Sequence, residues 1–72
     1  MQTEFRIGSH KYVCSAVPLI RGRWRASITH TDHSVVPPKE TRFEIAVVHQ
    51  NEDQAVAHAE TIATGMARKH IG

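Results

Sequence analysis

Trp24-Arg25-Ala26-Ser27-Ile28-Thr29 is the stretch whose reading decides the fold. Its apolar members, Trp24, Ala26 and Ile28, alternate with Arg25, Ser27 and Thr29. Successive side chains of a strand point to opposite faces, so this period of two predicts one buried face and one wet face. Downstream, Thr41 to Val48 repeats the pattern, with Phe43, Ile45 and Val47 on one side and Arg42, Glu44, Ala46 and Val48 on the other. Upstream, Tyr12, Val13, Cys14, Ala16 and Val17 give His10 to Val17 the content of another strand. Pro18 and Gly22 punctuate a turn between the first and second strands. His30 to Lys39 is a loop, because Pro37 and Pro38 fix φ and remove two ladder donors. Met1 to Ser9 reads as a lead-in, with Phe5 and Ile7 on one side, ending at the Gly8–Ser9 break.

The first strand has two possible registers. An even loop after it turns Val13 and Val17 inward. An odd loop, or a bulge at Pro18, turns Tyr12, Cys14 and Ala16 inward instead. The usual burial of free cysteine favours the second.

After the third strand the apolar period lengthens. Ala55, Val56, Ala59, Ile62, Ala63 and Met66 recur at three- and four-residue steps, one stripe of an amphipathic helix. Asn51 is placed to cap it through the Gln54 amide, with Gln54 reaching back. Glu52 and Asp53 stand at the end where the helix dipole favours negative charge, and Arg68, Lys69 and His70 at the other. Gly65 falls on the outer side. The predicted fold is α+β: a three-stranded antiparallel meander sheet with one C-terminal amphipathic helix packed on one face (β-β-β-α). Trp24 and Phe43 are expected against Ile62 and Met66.

The 72 residues suffice for a single small domain, 1–72, with a thin core. A lone cysteine excludes an intramolecular disulfide, leaving a metal, a partner chain or the core itself to hold the fold. A formal charge of +2 does not dictate a polyanionic partner. No 18-residue apolar run spans a membrane and no leader pattern opens the chain, so a cytoplasmic protein is expected.

Gly22-Arg23-Trp24-Arg25-Ala26, the apolar strand around Phe43, and Ala55-Val56-Ala57-His58-Ala59 opening a helix together resemble short uncharacterised bacterial β-β-β-α proteins, domains of unknown function. The resemblance extends over residues 5–71 and rests on structural motifs, so it implies a fold and no activity. HicB-type antitoxin domains are similar in element order only.

Four groups of residues are candidates for chemistry. His10, His30, His33 and His70 are weak metal-ligand candidates. In a meander the first strand starts where the second ends, and the helix returns to the same edge, so the four histidines share a pole, with His49 at the other. Arg21, Arg23 and Arg25, with Lys39, could hold phosphates, but Trp24 points away from Arg23 and Arg25 and is no stacking platform for a base. Cys14 in mid-strand reads as a core residue. The adjacent Ser9–His10 and His33–Ser34 pairs lack the geometry of a catalytic dyad, and no glycine-rich phosphate loop is present. No enzyme and no cofactor are therefore expected. The sheet face left open by a single helix is the fourth group: Val13, Val17, Ala46 and Val48 flank Arg23, Arg25, Arg42 and Glu44. Valines mixed with arginines suit contact with another protein, or with a second copy of the chain in a weak dimer.

Overall fold

Phe5 and Ile7 change the architecture from three strands to four. The computed structural model describes residues 2–71, with side chains described for residues 2–69. Thr3–Ile7 forms a strand, β1, where a lead-in was expected. The alternation of Phe5 and Ile7 with Glu4 and Arg6, followed by Gly8-Ser9, is a strand and hairpin signal that the reading as a lead-in missed. Gly8 takes a φ of 58°, conformationally cheap for glycine, and reverses the chain within two residues. Ile7 then pairs directly with His10.

The remaining strands are β2 (His10–Pro18), β3 (Trp24–Asp32) and β4 (Lys39–His49), followed by helix α1 (Glu52–Ile71). The sheet is antiparallel throughout, in the order β1-β2-β3-β4. β3 and β4 run further toward the proline loop than their alternation shows, so the loop shrinks to residues 33–38. Pro18 pairs with Trp24, which leaves an odd connection, residues 19–23, closed by the Leu19 amide donating to the Arg23 carbonyl at 2.7 Å. That odd loop sets the β2 register with Tyr12 and Cys14 inward, where both are fully buried.

Asn51 caps α1: its side-chain oxygen accepts the Gln54 amide at 2.8 Å. The helix presents Ala55, Ala59, Ala63 and Ala67 to the sheet, all buried at four-residue steps. Such a flat alanine face lets the helix lie close, and the bulk of the core comes from the strands: Tyr12, Cys14, Ala26 and Ile28, flanked by Phe5, Ile7 and Ile45. Ile62 and Met66 border this cluster as expected.

Trp24 and Phe43 do not join the core. Trp24 is half-buried on the last rung of β3, beside Pro18 and His49. Phe43 is 39% exposed on β4. Trp24 stands at the very end of β3, on the last rung of the ladder, and for Phe43 the reason is the helix's position. It lies over β2 and β3 and touches β1 and β4 only in passing, so an alternating strand at the edge keeps its apolar side partly in water. No helix of the described residues is long and apolar enough to cross a membrane.

Candidate protein-contact surface

Residues opposite one another in the ladders share a face. On the side away from α1, one rung carries Val17, Arg25 and Val48; the next, Ser15, Ser27 and Glu44; the next, Val13, Thr29 and Arg42. Six of the eight expected contact residues thus stand together: Val13, Val17, Arg25, Arg42, Glu44 and Val48. Arg23 does not; it is an exposed residue of the β2–β3 connection, one place before the ladder begins. Ala46 lies in an irregular stretch, where Ile45, Ala46 and Val47 face the single residue Ala26 between the Arg25–Val48 and Ser27–Glu44 pairs.

The centre of this face is a small charge network. Glu44 Oε1 is 3.6 Å from Arg42 Nη2, and its Oε2 is 4.0 Å from Arg25 Nη1. Arg42 Nε donates to Ser27 Oγ at 3.3 Å, and Ser27 is buried beneath the guanidinium. Burial of Ser27 is what the alternation could not foretell: it lies on the wet side of β3, yet long neighbours on β4 cover it. Arg25 Nε is also buried and meets no acceptor among the described residues. Around the network stand Lys11, paired with Glu4 at 3.5 Å, and the exposed Glu40 and Arg6. Opposite signs are interspersed, so this face has little of the concentrated positive field that holds phosphate backbones. The phosphate candidates are also dispersed. Arg21 and Arg23 lie in the β2–β3 connection, whereas Lys39 pairs with Asp32 at the far end of the sheet.

The histidines divide into two pairs. His10 Nδ1 and His30 Nε2 are 2.9 Å apart, on the helix side of β2 and β3. His49 Nε2 and His58 Nδ1 are also 2.9 Å apart and join the end of β4 to α1. The ring centroids are 5.1 Å and 5.0 Å apart, close to the N···N distance plus two ring radii. The nitrogens therefore lie near the line between ring centres, as in an N–H···N hydrogen bond, and do not converge from two directions on a metal. His58 was missed in the sequence because nothing in its spacing ties it to His49. His33 is exposed, and its amide donates to the Ser9 carbonyl at 2.8 Å. The His70 side chain lies outside the described residues. Among those described, no three His, Cys, Asp or Glu side chains form a group that could hold a metal ion.

His30 also ends an aromatic row across three strands. Phe5, Tyr12 and His30 share one rung, with centroid separations of 5.2 Å and 4.8 Å. Burial pushes the Tyr12 hydroxyl above its ordinary pKa, helped by the charge of Asp32. The Cys14 thiol is likewise pushed up, by burial first and then by Glu60, which works against its serving as a thiolate nucleophile. Asp32 moves the other way. The Ser34 hydroxyl and amide both donate to its carboxylate and hold it below the usual carboxylate range. Comparison with protein-family models, curated proteins and solved structures finds no match.

Proposed function

We propose that the chain is a non-enzymatic protein-interaction or regulatory module whose contact surface is the sheet face opposite α1. The observation that carries this reading is the make-up of that face: Val13, Val17 and Val48 around the Arg25–Glu44–Arg42 network. Apolar side chains supply area that gains from leaving water, at about 25 cal/mol per Å². The half-exposed guanidiniums offer directional donors to carboxylates of a partner, and Glu44 an acceptor. Because Glu44 stands between the two arginines, the face selects for matched groups rather than for any polyanion. The partner that fits is another protein with a mildly acidic, partly apolar patch.

The test is affinity capture with immobilised wild-type protein, Arg25→Glu and Val13→Lys, each checked for native far-UV circular dichroism. Proteins retained by wild type should be lost from both variants. Equal capture by all three would contradict the use of this face.

A further inference from the structure

We propose that two copies of this chain join edge to edge along β4, antiparallel about a two-fold axis at Thr41, so that two four-stranded sheets become one. The proposal concerns the strand edge and goes beyond the face reading above; either can fail alone.

β4 is the longest strand, eleven residues, and pairs on one side only. An outer edge of that length presents a row of unpaired backbone donors and acceptors, a template for another strand. The irregular stretch Ile45–Val47 and the charges of Lys39, Glu40, Arg42 and Glu44 blunt part of this edge, and residues 39–44 remain as a regular segment on its outer side. Among the described residues six large apolar side chains are exposed, and three stand on β4, with Phe43 in the segment 39–44 and Val47 and Val48 beyond it. The opposite edge, β1, is only five residues long, and its apolar Phe5 and Ile7 already pack on the core. A chain of 72 residues with an alanine-lined core also has little stability to spare, and oligomerisation is a common remedy at this size.

Charge decides the register. The irregular stretch Ile45–Val47 bends the strand, so the straight part available for pairing is residues 39–44. Antiparallel pairing that keeps faces aligned places the axis on a residue. An axis at Glu40 or Glu44 opposes that glutamate to itself. An axis at Arg42 opposes two arginines and sets Glu40 against Glu44 of the second copy. An axis at Phe43 joins opposite charges but draws the bent stretch into the ladder. Thr41 alone meets both conditions. Glu40 then faces Arg42 of the second copy twice over, Thr41 faces Thr41, and the Lys39 stem lies over the exposed ring of Phe43. The interface is small, so the dimer is weak and forms at high concentration.

The experiment combines light scattering with cross-linking of the full chain. Wild type should rise from 8.1 kDa toward twice that mass as concentration increases. Thr41→Cys should form a disulfide dimer under mild oxidation, since opposed residues of an antiparallel pair meet the Cα spacing a disulfide needs; buried Cys14 does not compete. Glu40→Arg should weaken association about tenfold by opposing like charges. Adding Arg42→Glu to it should restore association, because the swapped charges again match; a general loss of folding would not be rescued. A monomer at millimolar concentration, cross-linking through Phe43→Cys in preference to Thr41→Cys, or failure of the charge swap to restore association would each overturn the proposal.

Discussion

β3 and β4 carry nearly the same alternation and meet opposite fates. In β3, Ala26, Ser27 and Ile28 are consecutive and all buried, so both faces of its middle are covered. In β4, Phe43, Val47 and Val48 are all exposed, the apolar side included. Period does not distinguish them, and composition does so only through charge, with Lys39, Glu40, Arg42 and Glu44 on β4 against Arg25 and Asp32 on β3. The larger difference is placement: β3 has a strand on either side and α1 above it, while β4 has one neighbour and lies beyond the helix. Alternation tells which side chains share a face; only the order of strands and the reach of the helix tell how much of that face is dry. A buried interior strand then serves stability, and an uncovered edge strand is left for contact.

The largest difference should appear in paired truncations. Ile28→Ala removes a fully buried side chain from the core and should cost about 2–5 kcal/mol, enough to unfold much of a domain this small. Phe43→Ala removes a ring already 39% exposed and should cost well under the ~3–5 kcal/mol of a buried phenylalanine in dilute monomer. Urea titration of the two variants measures both. Equal losses would erase the contrast between the strands.

Asn51→Ala should have a middling effect, about 1 kcal/mol, by orphaning the Gln54 amide at the start of α1. The effect should differ between the strands because the helix covers β3 far more than β4. Hydrogen exchange should quicken in β3 amides, with β4's outward amides unchanged; a uniform change would mean that the helix supports both alike.

The smallest effect concerns the shared end of the two strands, where Asp32 of β3 pairs with Lys39. The folded pKa of Asp32 is lowered, chiefly by the Ser34 hydroxyl and amide. Its contribution is therefore present above the unfolded pKa of about 3.9 and is lost as pH falls through the lower folded value. Melting temperatures of wild type and Asp32→Asn should differ at neutral pH and converge in acid. A gap independent of pH would remove Asp32 from the account.

Much of this fold was legible in the sequence because its signals are local. The alternation of Trp24–Thr29, the cap at Asn51 and the apolar stripe of α1 through Ala55, Ala59 and Ala63 each declare themselves within a few residues, although Ala67 was not included in that stripe. β1 was legible but missed: Phe5 and Ile7 alternate with Glu4 and Arg6, and Gly8-Ser9 is a two-residue hairpin signal that returns the chain onto β2. Trp24 and Phe43 were misplaced for the same reason that Ser27 was, since burial at the ends and edges of a sheet depends on neighbours far along the chain. Of the candidate surface, the strand residues could be sorted by face from their parity. Arg23, outside the ladder, and Ala46, in the irregular stretch, could not. The histidine pole was half legible: the meander brings His10 to His30, but turn geometry sends His33 outward.

β3 is closed by a strand on either side and the helix above it, whereas the outer edge of β4 is left for a partner. Amide hydrogen exchange resolved by residue tests this claim most directly. In dilute protein, β3 amides should be protected to near the global stability, and outward-facing β4 amides of residues 39–44 should exchange orders of magnitude faster. Raising the protein concentration should slow those β4 amides and leave β3 unchanged. Strong protection of β4 in dilute monomer, or β4 exchange that ignores concentration and every added partner, would contradict the claim.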